Sequence, residues 1–134
     1  MITFRSYLET YNALKKGSIS CVDITRNYLK RISENNSLNA FVEVYADEAL
    51  IKAKIVDKKI KEGKAGKLAG MVLGIKDNIC YKDHKVTAAS KVLSNFESLF
   101  SATALKRLLD EDVIIIGRLN CDEFAMGSAN ENTI

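Results

Sequence analysis

A chain of 134 residues, 47% hydrophobic and 28% charged, is long enough for one domain with a real core and too apolar for a disordered segment. Its 20 basic and 17 acidic residues leave a formal charge of +3, which is no nucleic-acid footprint. Lysines crowd residues 52–67, but acids are interleaved with them, so that stretch reads as a solvated helix face.

In chain order, Thr3 is placed to cap a first helix carrying Phe4, Tyr7, Leu8, Tyr11 and Leu14 on one face and closed by Gly17. Ser20 with Asp23 forms a capping-box pattern. The helix it opens carries Cys21, Ile24, Tyr28 and Ile32 on one stripe and ends at ENNSLN. AFVEVY (40–45) alternates as a half-buried strand does. Asp47 begins a third helix running to about Glu62, with Ala49, Ala53, Val56 and Ile60 inward, and EGKAGK follows as a glycine-punctuated loop.

LAGMVLGI (68–75) reads as a strand, followed by a polar connection through Ser90. Ser101 opens a fourth helix with Leu105, Leu108 and Leu109 inward. DVIIIGR (112–118) is the clearest buried strand, its β-branched run stopped by Gly117. Helices alternating with strands predict an α/β layer with strands at least partly parallel. The last residues, DEFAMGSANENTI, are small and polar with no closing helix, so the chain reads as one incomplete domain: a helical pair over 1–36 and the first part of an α/β core over 37–134.

Cys21, Cys80 and Cys121 are odd in number and far apart, and His84 is the single histidine. That weighs against a disulfide framework and a metal site and fits a reducing cytoplasm. No signal-peptide pattern opens the chain, and no apolar run approaches the roughly 20 residues that span a bilayer, so no membrane contact is expected.

Lys76 interrupts the apolar run at GIKDN, and two readings of it stand side by side. In one it is a strand-end lysine with a packed stem and a wet ammonium. In the other it is partly buried in a crowded turn that Asp77 and Asn78 cap or in which they hold the lysine, and burial favours the neutral amine that can act as a base. TAAS (87–90) reads as a plain loop or as a nucleophile segment. Asp122 and Glu123, as neighbours on a helix, diverge and are simplest as N-terminal helix charges. They lie just past a strand, where α/β folds place ligand sites. His84 reads as a surface turn residue.

LAGMVLGIKDNIC, TAASKVLSNF and ATALKRLLDEDVIIIGRLNCDEFAMGSANEN together resemble the start of the amidase signature family. DEFAMGS followed by EN is most similar to the A subunits of the amidotransferases that act on glutamyl-tRNA(Gln) and aspartyl-tRNA(Asn). The resemblance implies the N-terminal part of an α/β/α sandwich around a mixed sheet, preceded by two helices. It also implies a serine-serine-lysine triad in which Lys76 is the ultimate base, acting through a bridging serine on the nucleophilic one, with Met126, Gly127 and Ser128 as pocket wall.

The family's GGSSGG-like loop and later GGS segment, which carry the two serines, do not occur in these 134 residues. Neither Ser90 nor Ser128 takes their place, and Cys121 stands where a methionine is usual. The implied activity is therefore that of the longer protein. That protein hydrolyses glutamine to supply ammonia, with amidotransferase subunits B and C as partners, ATP and Mg in the partner, and tRNA met mainly through the partner. This chain alone is expected to be inactive. A hydrolase of the same family acting on another amide, and a non-catalytic interaction domain, are the alternatives.

Overall fold

The computed structural model describes residues 6–133. Four helices and three strands alternate: α1 (Tyr7–Lys15), α2 (Cys21–Glu34), β1 (Phe41–Val44), α3 (Ala46–Lys61), β2 (Val72–Lys76), α4 (Thr103–Asp110) and β3 (Ile114–Leu119). The strands form one mixed sheet in the order β1-β3-β2, with β3 antiparallel to β1 and parallel to β2.

The central strand explains its own sequence. Ile114 and Ile116 enter a core on one face with Leu14, Cys21, Ile24, Ala49, Ala53 and Val56, from α1, α2 and α3. Val113 and Ile115 enter a second core on the other face with Tyr45, Ile75 and Leu105, the last from α4. A strand covered on both faces needs an unbroken apolar run, because both sets of alternating side chains are buried. Each such side chain contributes about 1.5–3 kcal/mol on leaving water. The expected mixed α/β sandwich is what the chain builds.

The expected strand stop at Gly117 is not observed; β3 runs through it to Leu119. The ladder to β2 loses register just before it, where Ile116 is the extra residue between the Leu73–Ile115 and Gly74–Gly117 pairs, and the ladder to β1 loses register just beyond it, where Val42 is the extra residue between the Glu43–Arg118 and Phe41–Leu119 pairs. Gly117 therefore sits between two bulges. A Cβ there would lie 2.5 Å from the Glu43 carbonyl oxygen, so the close approach of β1 requires glycine.

Other boundaries also shift. Thr3 and Phe4 lie outside the described residues; Ser6 caps α1, accepting from the Glu9 N–H. Leu8, expected inward, is 66% exposed, and Tyr28 is also largely exposed. The apolar stripe of the sequence is wider than the buried one, because neighbouring elements cover only part of each helix face. The Ser20–Asp23 capping box is present. Asp57 of α3 adds to it, accepting the Cys21 and Val22 N–H groups at 2.7 and 3.2 Å. A carboxylate at a helix N-terminus satisfies orphan donors and the positive end of the dipole together. Residues 68–71 turn before β2 begins, and α4 starts at Thr103 with Ala102 before it, not at Ser101.

The lysine face of α3 is not wholly solvated. Lys59 and Lys52 reach the buried Asp112 at 2.7 and 3.1 Å, and the Gly66 N–H donates to the same carboxylate at 3.0 Å. Burial alone would raise the Asp112 pKa. The Lys59 contact, the Gly66 amide and Lys52 outweigh it and hold the carboxyl below its ordinary value of 3.8.

Two outcomes follow from these contacts. A depressed carboxylate contributes stability that is complete above its unfolded value of 3.8 and is lost as pH falls through the folded value. Urea denaturation should therefore show a stability loss below about pH 4 that Asp112→Asn largely removes, at a cost near neutrality of about 1–3 kcal/mol. Gly117→Ala should cost about 1–3 kcal/mol by overpacking, read as a lower urea midpoint at unchanged slope.

Candidate active site

β2 and β3 run parallel, and the loops that follow them, 77–90 and 120–132, meet at their C-terminal end. The Phe124 N–H donates to the Ala88 carbonyl at 2.8 Å, and the Ser90 hydroxyl donates to Glu123 Oε1 at 2.8 Å. Ligand sites in α/β sheets gather at such strand ends. Ala88, Ala89, Phe124 and Ala125 all have φ between 46° and 59°, a conformation non-glycine residues hold only when their surroundings impose it.

The surroundings here centre on Asp77, which is 0% exposed. Its carboxylate accepts the Thr87 N–H at 3.0 Å, the Thr87 hydroxyl, the Ala89 N–H at 3.4 Å and the Arg118 guanidinium. Those donors occupy the roughly four acceptor positions of an ionised carboxyl. Its backbone carbonyl accepts the Ala88 N–H at 2.8 Å, and its own N–H extends the ladder to the Leu119 carbonyl at 3.0 Å. Arg118 spans the sheet to Glu43 Oε2 at 3.2 Å.

The bulge beside Gly117 makes this possible. Ile115 and Arg118 are three residues apart and in a regular strand would face opposite ways. Across the register shift Ile115 pairs with Leu73 and Arg118 with Ile75, so both turn to the α4 face, where Asp77 also lies.

Lys76 is the last residue of β2, paired with Leu119, and exposed. The reading in which Asp77 holds it partly buried is not realised in this chain. Strand alternation puts Lys76 on the face of Val72 and Gly74, opposite Ile75 and Asp77, and Asp77 is already saturated. Burial raises the Cys121 thiol pKa, Asp77 adds to the rise, and Lys76 opposes it.

Met126, Gly127 and Ser128 are exposed on the second loop, Met126 by 77%. Asp122 shapes that loop, accepting the Asn130 and Asn132 N–H groups at 3.0 and 2.9 Å, and a Cβ on Gly127 would strike its carboxylate. Asp122 and Glu123 diverge as expected, but around a single 3-10 turn, not an α-helix.

The connection through Ser90, expected to be polar, is buried from Val86 to Ser90, because Asp77 and the 120–132 loop enclose it. His84, expected as a surface turn residue, stacks on Tyr81 at 4.0 Å between ring centres, and its Nε2 lies 3.0 Å from Glu48 Oε2. Among the described residues no group of three or more histidine, cysteine, aspartate or glutamate side chains is placed to hold a metal ion, and no helix is long and apolar enough to cross a membrane.

Sequence reasoning missed Arg118 and Glu43 as members of the site, and reached Thr87 only as part of TAAS, as a nucleophile candidate and not as a partner of Asp77. The Asp in GIKDN and the Arg after the buried run are visible signals of a charge pair, but only the bulge brings them together.

The family model described as Amidase matches residues 23–134. The chain is 46% identical over 129 residues to the A subunit of the glutamyl-tRNA(Gln) amidotransferase of Chlorobium chlorochromatii (strain CaD3), covering 96% of this chain and 27% of that one. It is 45% identical over 131 residues to the corresponding protein of Pelodictyon phaeoclathratiforme, covering 97% and 28%. Among solved structures, native peptide amidase from Stenotrophomonas maltophilia superposes with a TM-score of 0.84 at 27% identity, covering 96% of this chain and 27% of that chain. A chain from a vestigial complex linked to the origins of an s-triazine catabolic enzyme gives 0.88 at 26% identity, covering 95% and 28%. The chain thus spans little more than a quarter of the length of the relatives it matches. With the family match running from residue 23 to 134, and the mixed sheet and its helices superposing on amidases, the chain belongs to the amidase signature family.

Proposed function

We propose that this chain is the base-bearing segment of an amidotransferase A subunit that hydrolyses glutamine and supplies ammonia for the amidation of glutamyl-tRNA(Gln) or aspartyl-tRNA(Asn). The observation that carries the reading is Lys76 at the C-terminal end of a parallel strand, beside two loops held in constrained backbone conformations, in a chain 46% identical to such a protein.

The chemistry follows from what a serine needs. Its hydroxyl is a weak nucleophile until a base accepts its proton, and a lysine is such a base only as the neutral amine. Lys76 takes the proton through a bridging serine, and the nucleophilic serine attacks the glutamine amide carbon. The carbon–nitrogen bond breaks, the proton returns to the departing ammonia, and water releases glutamate from the acyl-enzyme. Both serines belong to a part of the longer protein outside these residues. Because Lys76 is exposed here, that further part must also cover it, since burial favours the neutral form. Met126, Gly127 and Ser128 would line the glutamine pocket. Subunits B and C are the partners; ATP and Mg act in the partner, which also carries most of the tRNA contact, and the assembly works in the cytoplasm.

The test is a chimera in which this chain replaces the matched segment of the Chlorobium chlorochromatii protein, assembled with that organism's B and C subunits. It should release ammonia from glutamine, and Lys76→Ala or Lys76→Arg should lower kcat by about 10²- to 10⁴-fold. Retained activity in those variants would remove Lys76 from the mechanism. Turnover of other amides with none of glutamine would favour a different hydrolase of the family. The 134-residue chain alone should show no glutaminase activity, and detectable turnover would show that the triad is wrongly mapped.

A further inference from the structure

Resting on that reading, we infer that Asp77, braced by Arg118 and read out through Thr87, is a positioning residue for the reaction. It sets the 87–90 loop against the end of β2 and, through Phe124 and Glu123, the 120–132 loop at the strand end that carries Lys76.

The geometry gives Asp77 no other task. It is fully enclosed, it lies on the face of the sheet opposite Lys76, and it has no acceptor capacity left for substrate. Three of its four carboxylate bonds and its carbonyl bond go to a single loop, at Thr87, Ala88 and Ala89. Two of those residues are alanines with φ of 46° and 54°. The left-handed region costs a residue with a Cβ roughly 1–2 kcal/mol, so the loop adopts it because the carboxylate demands those amide directions. The loop in turn accepts the Phe124 N–H and reaches Glu123 through Ser90, which transmits the placement to the segment containing Met126, Gly127 and Ser128.

A buried pair of opposite charges is a weak source of net stability, because the Coulombic gain mostly repays desolvation. What it supplies is direction: Arg118 cannot bond Asp77 and Glu43 at once unless β1, β2 and β3 keep their relative register. Lys76 is covalently next to this anchor and paired with Leu119, next to Arg118. A displacement of the 87–90 loop therefore passes through Phe124 and Glu123 to the 120–132 loop and shifts the substrate pocket at that strand end, while leaving the lysine itself on its strand.

The experiment uses the same chimera with its B and C subunits. Thr87→Val keeps the shape and removes one donor to Asp77; Thr87→Ser keeps the donor. Thr87→Val should lower kcat for glutamine hydrolysis by about 10- to 100-fold with KM changed less than about twofold, the signature of misplaced reacting groups. Thr87→Ser should restore most of kcat, although it loses a methyl group of packing that Thr87→Val keeps. Asp77→Asn should behave as Thr87→Val does, with folding checked by thermal denaturation. Unchanged kcat in Thr87→Val, equal impairment in Thr87→Ser, or a kcat loss that only follows the loss of folded protein would each overturn the inference. An unmodified chimera inert toward glutamine would overturn the amidotransferase reading beneath it, which the Thr87 series does not test.

Discussion

A carboxylate removed from water persists only where every acceptor position is answered, and the cluster built around Asp77 draws on three separate parts of the chain. Arg118 belongs to the central strand, Thr87 and Ala89 to the loop after β2, and Glu43, on the far side of Arg118, to the opposite edge strand. The sheet order, the bulge and the buried loop are all conditions for that one group to stay enclosed with its bonds filled. Apolar packing holds the layers together, but it tolerates small slides. The charged cluster does not, because its bonds have directions.

Two cores on either side of one strand divide the labour. The core of α1, α2 and α3 is built from small and medium side chains, Ala49, Ala53, Val56 and Ala69 among them, which bring helix and sheet backbones close. The α4 side has larger and more polar neighbours, with Tyr45 buried beside Arg118 and its hydroxyl pushed up to about 12 mainly by that burial. The buried charge pair of Asp77 and Arg118 sits at the edge of this second core.

Much of this is legible in the residues. The β-branched run of 113–116 marks a strand buried on both faces, and the Ser20–Asp23 pair marks the start of α2, because both signals are local and unambiguous. Lys76 stands out for the same reason: a charge in an apolar run is visible without knowing what surrounds it. The resemblance to the amidase signature family rests on short exact motifs, which survive where periodicity blurs, and the family match agrees with it. What sequence does not show is long-range. Gly117 looks like a terminator because a glycine after an apolar run usually is one, and its real role depends on the Glu43 carbonyl of a strand far away in the chain. His84 looks solitary because Glu48 lies 36 positions earlier. The TAAS stretch looks like a plain loop because Thr87 and Ser90 find their partners, Asp77 and Glu123, only after folding.

The alternation that separates Lys76 from Asp77 has an evolutionary corollary. Adjacent residues of opposite charge serve opposite sides of one sheet, so their roles are assigned by parity. Substitutions along β2 can be absorbed by repacking. Gain or loss of a single codon between Val72 and Asp77 cannot, because it would carry the lysine into the enclosed side and turn the aspartate out. Within that stretch, length should be under stricter selection than identity, and lineages should differ there in residue type while keeping the count.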